Sequence, residues 1–417
     1  MSNGEEARKA AAVILDPEYV RLVVRQDADA ACAAALLGHA LRREKVDFHV
    51  TWHERLDKAA AARFVHTPHD ALVLIGLGED ADLAAVAGHP LVTLDRHAVP
   101  AGGRAHLSGD AVEGGASLAA LACDVATAML KSHRDLAPLA LAGATASWRD
   151  LPGHYTGRER DLVTHAVDSE VIANEPALAL SGPTLTNALT RLEAPYVSGI
   201  SGVARNAKKL LRAFHLPPEA PMSHLQREHY EQLGSYLSLR LLQQDAPDAA
   251  LDALFRPIRR VQKGPLSGLD AVQIGRLTEA CGAAGQWALA YAVAWGDAVA
   301  ITKAKELEGT WRPQLVDALR RSEADVEQAT ALSATPELAL PLARRAAVSF
   351  TSPRGEVVVR ASDRLVIARG HAEGTPLLPR ASQVAAKLGA RCQGDERHAV
   401  LFGAPDALLA AWEETRA

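Results

Sequence analysis

The chain reads as an α/β protein, with a domain built on a parallel sheet, a helical middle region and a small α+β domain at its C-terminal end. Three observations carry this. From Tyr19 to Val99, short apolar runs alternate with Ala-rich stretches at helical spacing, the pattern of a parallel sheet layered with helices. From about Leu162 to Leu332 the apolar period is helical and is broken by prolines, among them those at 183, 195, 217, 218, 221, 247, 257 and 265. Beyond residue 350, two β-type runs, a helix, a further run and a last helix fill a stretch of ~70 residues, enough for a small docking domain.

The elements follow in order. Val20–Val24 (VRLVV), Ala71–Ile75 (ALVLI) and Pro90–Leu94 (PLVTL) are apolar and bounded by charge or glycine, as strands buried on both faces are. Ala28–Glu44 repeats small and apolar residues at helical spacing and ends in Arg42 and Arg43, cations that complement the negative end of a helix dipole. Strand, helix and strand make a βαβ unit. A second Ala-rich helix is expected over Ala116–Lys131, and Leu136–Ala146 fits either a helix or a strand. Pro152, Gly153 and Gly157 mark the first boundary, so the domains are expected at 1–160, 161–345 and 346–417. In the last, Glu356–Arg360 (EVVVR) and Arg364–Ala368 (RLVIA) read as a hairpin, Leu377–Leu388 as an amphipathic helix, His398–Phe402 (HAVLF) as a strand and Pro405–Glu414 as a closing helix.

Composition narrows the function. The 417 residues are 48% hydrophobic and 23% charged, which is globular and excludes a disordered or collagen-like chain. Only 4% are aromatic, which argues against a base-stacking surface as the main theme. Lys plus Arg at 45 against Asp plus Glu at 50 leaves a net charge of −5, so no overall field draws in nucleic acid. Cys32, Cys123, Cys281 and Cys392 lie far apart without C-x-x-C spacing, so neither a zinc site nor a disulfide framework is expected, and the reducing cytoplasm is the expected compartment. No leader-like segment or run of ~18 apolar residues is found, so no membrane association is expected.

Carboxylates just past the ends of neighbouring parallel strands converge in the crevice where α/β folds build their sites. Arg25-Gln26-Asp27-Ala28-Asp29-Ala30 follows the first strand directly, placing Asp27 and Asp29 at a strand-to-helix turn within reach of a hard cation. An Asp there is also the residue type that caps a helix. The third strand ends in Leu94-Asp95-Arg96-His97. His53, His66 and His69 have no metal-ligand spacing and read as solvated surface. The groups Lys208, Lys209, Arg212 and Arg256, Arg259, Arg260, Lys263 read as exposed helix faces, with single-strand contact as the alternative. Trp287, Tyr291 and Trp295 form one stripe of a helix, suited to core or partner-facing packing rather than base stacking.

These segments, in this order, resemble the motifs of the DHH phosphoesterase superfamily, archaeal RecJ-like branch. The family's H-x-D-A-D-G motif is matched by Arg25-Gln26-Asp27-Ala28-Asp29-Ala30, and its Asp at the end of an apolar strand falls on Gly76. The Asp-His-His signature reads Asp95-Arg96-His97, and the G-A-x-x-D motif reads Gly143-Ala144-Thr145-Ala146-Ser147. Three later segments are similar too: Ala194–Gly202 with its Pro195-Tyr196, Leu277–Gly282, and Gln393–Ala399 in the place of the Gly-Gly-His motif of the nucleic-acid-binding domain called DHHA1. The resemblance implies a parallel-sheet DHH domain and a DHHA1-like C-terminal domain.

In active relatives two divalent ions, usually manganese, activate a water for attack on phosphorus. Here the positions implied to be catalytic are degenerate: Arg25, Gly76, Arg96 and Ser147 supply no carboxylate or imidazole, so no catalytic residue and no cofactor is expected. Asp27, Asp29 and Asp95 are the residual metal candidates, with Mn or Mg implied if activity persists. Arginine cannot deprotonate to bind a cation, but its guanidinium offsets the repulsion of crowded carboxylates, and Arg25 and Arg96 are expected to bridge them. In the terminal motif Asp395 stands at the His position, leaving Arg391, Arg397 and His398 as candidates for phosphate contact. The branch includes proteins that have lost the nuclease, among them the eukaryotic replication factor that joins GINS and MCM. The implied role is an inactive replisome scaffold binding the GINS complex and MCM helicase, with single-stranded DNA as a further contact; the alternative is a metal-dependent single-strand exonuclease or phosphodiesterase.

Overall fold

The computed structural model describes residues 3–65, 71–78, 86, 89–98, 103–151, 154–370 and 376–415. It divides into two compact units, one of 1–150, 154–175 and 258–308, the other of 151–153, 176–257 and 309–417. The helical stretch 161–345 is therefore shared between two units. His66 and His69 lie outside the described residues.

The first unit opens with α1 (Asn3–Leu15), β1 (Tyr19–Arg25), α2 (Ala28–Glu44), β2 (Asp47–His53), α3 (Lys58–Val65), β3 (Ala71–Ile75), β4 (Leu91–Asp95) and β5 (Ala105–Ser108). The strands form one parallel sheet in the order β2-β1-β3-β4-β5. Alternation sorts its side chains: Val20, Leu22, Val24, Val73 and Ile75 enter one core, whereas Val23, Leu72 and Leu74 enter a second with Leu56, Ala61 and Phe64. Each side chain so buried contributes ~1.5–3 kcal/mol. Of the expected strands, β1 and β3 hold their places and β4 starts one residue late. Strands β2 and β5 were not legible: β2 is a half-exposed edge of sequence DFHVTWH, and β5 has four residues. The edge at β5 is covered by α1, where the Glu6 carboxylate accepts from the His106 amide at 3.3 Å and the Asn3 side chain donates to the Ser108 carbonyl at 3.1 Å.

The chain continues through α4 (Leu118–Thr127), α5 (Ala137–Ala146), α6 (Gly157–Asp168) and β6 (Ile172–Glu175). The ambiguous apolar run is thus a helix, opened by Pro138 in its first turn. Helices α2, α4 and α5 approach closely on small residues: a Cβ on Gly143 would lie 2.4 Å from Ala119 Cβ and 3.1 Å from Cys32 Cβ. In the second unit follow α7 (Leu185–Thr190), α8 (Ala204–Ala213), α9 (Arg227–Gln243) and α10 (Asp248–Leu254).

The chain then re-enters the first unit as β7 (Ile258–Val261), α11 (Ala271–Ala283), α12 (Trp287–Trp295) and α13 (Ala298–Glu327), which belongs to the second unit from Gly309. Strand β7 pairs antiparallel with β6, which corrects the reading of Arg259 and Arg260 as an exposed helix face. Arg256 and Arg259 are buried, Arg259 lies 4.4 Å over the Tyr155 ring, and Arg260 pairs with Glu175 at 3.1 Å. On α12, Tyr291 and Trp295 pack as expected of a core stripe: Tyr291 edge-on to Trp52, and Trp295 stacked on His39 at 3.9 Å.

The second unit closes with β8 (Leu332–Ser333), α14 (Pro336–Ser349), β9 (Val357–Arg360), β10 (Arg364–Ala368), α15 (Leu377–Leu388), β11 (Arg391–Gly394), β12 (His398–Phe402) and α16 (Pro405–Glu414). Their sheet runs β11-β12-β10-β9-β8, antiparallel except for the β8–β9 pair. The hairpin, both helices and the strand expected here are all present. Trp412 anchors the core, its indole N–H donating to Glu356 at 2.7 Å with Arg380 3.7 Å over the ring.

Candidate functional site

In the sheet order β2-β1-β3-β4-β5 the strand sequence reverses between β1 and β3, the crevice where such folds bind ligands. The ends of β1 and β3 meet there: Arg25 donates to the Gly76 carbonyl at 3.1 Å. Asp27, two residues beyond β1, caps α2, its Oδ1 accepting from the amides of Asp29 at 2.9 Å and Ala30 at 3.2 Å. Asp29 is fully buried and serves a different helix. Its carboxylate accepts from the amides of Leu118 at 2.9 Å and Ala119 at 3.0 Å, the positive end of α4.

Arg96, just past β4, joins the two aspartates. Its Nη2 lies 3.1 Å from each oxygen of Asp27 and 3.3 Å from Asp29 Oδ2. Burial pushes the Asp29 carboxyl up to about 6; Arg96 opposes this, the Asp27 charge adds to it, and the amides of Ala119 and Leu118 oppose it. One guanidinium and two backbone amides thus hold this carboxylate in a buried place. Sequence reasoning missed the two amides, although Ser117, which caps α4 by accepting from the Ala120 amide, signals that a helix begins there.

The other motif positions are committed elsewhere. Gly76 has φ +72°, and a Cβ there would lie 2.9 Å from Leu118 Cδ1, so a carboxylate at this position would strain the backbone and crowd α4. The Ser147 hydroxyl donates to the carbonyls of Gly143 and Ala144 in its own helix. Asp95 is buried, and its Oδ1 accepts from the Gly78 amide at 2.9 Å. His97 pairs with Asp110 at 2.9 Å. Gly143 is tightly packed, because a side chain there would also meet Asp29 Oδ1 at 2.7 Å.

A pair of divalent cations needs several carboxylate or imidazole donors aimed at one point. The residues present do not fit that requirement: Asp27 and Asp29 face a guanidinium and helix amides. Among the described residues no group of three or more His, Cys, Asp or Glu could hold a metal ion. The segments around Asp27 and Asp29, Gly76, Arg96 and Gly143 come together in the fold, with Arg96 paired to both aspartates.

The terminal motif lies in the second unit. His398 is buried at the start of β12, with Nδ1 2.8 Å from Asp395 Oδ1 and Nε2 3.0 Å from Arg344. Asp395 also accepts from the amides of Arg397 and His398 at 2.8 and 2.9 Å, and its carboxyl is held far below the ordinary range: burial opposes ionisation, but His398, Arg344 and the Arg397 amide outweigh it. Arg391 lies 4.0 Å over the Phe402 ring and Arg397 donates to the Leu151 carbonyl. These groups therefore make contacts within the chain. Arg344, not singled out by the sequence, is the cation that faces the motif.

No family profile matches the chain, and no curated protein matches it by sequence. Solved structures do. RecJ from Thermus thermophilus, in complex with Mn2+, superposes with a TM-score of 0.57 at 15% identity over 98% of this chain. The chain has the RecJ-like DHH fold. It spans about half, 54%, of the length of that RecJ. CDC45 from Entamoeba histolytica superposes with a TM-score of 0.56 at 13% identity, over 98% of this chain and 99% of that one, and an exonuclease RecJ bound to manganese with 0.52 at 15%, over 99% and 93%. The RecJ-like fold is thus shared by proteins crystallised with manganese and by CDC45. Among the described residues no helix is long and apolar enough to cross a membrane.

Proposed function

We propose that this RecJ-like chain has no phosphodiesterase activity and serves as a scaffold in a replisome, joining the GINS complex and the MCM helicase, with single-stranded DNA as a further contact. One observation carries the loss of catalysis: the Arg96 guanidinium lies within 3.1–3.3 Å of both Asp27 and Asp29, the only two carboxylates kept from the first motif. A fixed cation there satisfies the carboxylates without supplying a Lewis acid or an activated water. The backbone at Gly76 and the internally bonded Ser147 remove two further donors. The scaffold role is supported by the fold shared with CDC45 over nearly the full length of both chains.

Hydrolysis decides between this reading and the exonuclease. The purified chain is incubated with labelled single-stranded DNA, RNA oligonucleotides and dinucleotides in manganese or magnesium, and no cleavage above a no-protein control is expected. Cleavage abolished by Asp27→Ala would overturn the proposal and establish a metal-dependent phosphodiesterase. Affinity capture from the native host tests the partners: GINS and MCM subunits are expected, and their absence would remove the replisome role.

A further inference from the structure

We propose that the outer edge of β2 is a docking site for an extended segment of a partner protein, which adds to the parallel sheet as a further strand and sets alternate apolar side chains in the groove beside Trp52. The sheet has two edges. That at β5 is covered by α1, whereas among the described residues no strand lies beyond β2. Along β1 and β2 the Asp47 amide donates to the Glu18 carbonyl at 3.0 Å and the Gln26 amide to the His53 carbonyl at 2.9 Å. The period of two therefore turns the backbone groups of Asp47, His49, Thr51 and His53 toward β1 and those of Phe48, Val50 and Trp52 outward. Among the described residues nothing bonds to these outward amides and carbonyls. The strand pairs with β1 in unbroken register over seven residues, DFHVTWH, and so lacks the proline, lysine or bulge with which exposed edges are commonly blunted.

The side chains at the outward positions lie on the α12 side of the sheet, Phe48 near Trp295 and Trp52 edge-on to Tyr291, each at 6.3 Å between ring centres. Beside Trp52 is an open groove of about 1040 Å3, lined by Trp287, Leu289 and Ala292 of α12 and by Val299 and Leu307 of α13. Val299 is 65% exposed. A strand added at the usual spacing of ~4.8 Å would carry every second side chain on this side of the sheet, next to Trp52.

The edge and the groove together select the occupant. A docked helix bonds its own backbone groups and would leave those of β2 unpaired. A small molecule needs enclosure and converging polar groups, but this groove is open, and Asp297 on its rim already accepts from the Ala300 amide at 2.7 Å. An extended peptide uses both features, its backbone on the edge and its apolar residues in the groove. The surface uses none of Asp27, Asp29 and Arg96, so it stands or falls apart from the loss of catalysis.

The test is fluorescence anisotropy of the full chain with a labelled peptide of about nine residues, Val and Leu alternating with Thr and Lys. A peptide of the same composition with its apolar residues consecutive is the comparison. Saturable binding of the alternating peptide is expected, together with slower hydrogen exchange, read by mass spectrometry, in the fragment covering residues 47–53. Val50→Pro removes an outward amide and spares the ladder to β1, and Val299→Asp places a charge in the groove at an exposed site. Each is expected to weaken binding about tenfold, once shown to keep the wild-type melting curve. Absence of saturable binding, equal binding of the comparison peptide, unchanged exchange in 47–53, or binding indifferent to Val299→Asp would overturn the proposal. Sedimentation showing that the chain alone dimerises, and that Val50→Pro separates the dimer, would overturn it in favour of a second copy.

Discussion

Replacing Arg96 by Met removes the charge and the hydrogen bonds while keeping an unbranched side chain of intermediate length. Asp29 is then left buried on two amides, beside Asp27, without the guanidinium that joined them. Removing one partner of a buried ion pair typically costs about 3–5 kcal/mol. Here the Arg96 and Asp27 side chains are 18% and 26% exposed while Asp29 is fully enclosed. Partial access of water to two of the three groups places the expected loss near the lower end, at about 3 kcal/mol. Because the chain has two units, the loss is to be read on the urea transition of the first, followed by circular dichroism and tryptophan fluorescence. A second substitution sharpens the test. Asp27→Asn keeps a good helix cap and removes only the charge, so in the Arg96→Met background it should restore about 1–2 kcal/mol of the loss. An Arg96→Met variant within about 0.5 kcal/mol of wild type, or losses that simply add, would refute the reasoning that the guanidinium neutralises this site.

Gly143→Ala should cost about 1–3 kcal/mol and lower the melting temperature of the first unit, since its Cβ would fall 2.4 Å from Ala119 Cβ and 2.7 Å from Asp29 Oδ1. In the second unit, Glu193 pairs with both Arg312 and Arg345, all three buried, so Glu193→Gln should destabilise by about 3–5 kcal/mol in chemical denaturation. His39 is pushed down to about 4, by burial first, with Arg43 and Arg42 adding and the Trp295 carbonyl and Asp135 opposing. The unfolded chain takes up this proton near pH 6.5, ahead of the folded one. The His39 contribution to stability is therefore full above pH 6.5 and lost as pH falls toward 4. Titrating the fluorescence of Trp295, which stacks on the His39 ring, should show a midpoint near 4 that His39→Gln abolishes.

Legibility in the sequence followed how local each signal was. Runs such as Ala71–Ile75 and Arg364–Ala368 declare themselves by composition within five residues, and the structure keeps both. The α2 cap was legible because Asp27 bonds amides two and three residues onward. Strand β2 was not, because half-exposed polar residues in DFHVTWH conceal the alternation, and β7 was not, because IRRV carries two arginines, Arg259 buried against Tyr155 and Arg260 paired with Glu175, both partners far away in the chain. In the site, the expected bridge by Arg96 is present in the geometry, while Arg25 donates to the Gly76 carbonyl and so ties the end of β1 to the end of β3.

By itself the sequence determined which segments are strands and helices over most of the two five-stranded sheets, and the order of the segments around Asp27, Gly76, Asp95 and Gly143. Only the tertiary structure decided which groups satisfy Asp29. The partners of Asp29 are Arg96, 67 residues away, and the amides of Leu118 and Ala119, 89 and 90 residues away, and no periodicity reports contacts at that separation. The sheet order brings the ends of β1, β3 and β4 together, and a buried carboxylate in that crevice must find donors wherever the fold supplies them, because leaving it unpaired costs more than the ordering of those groups.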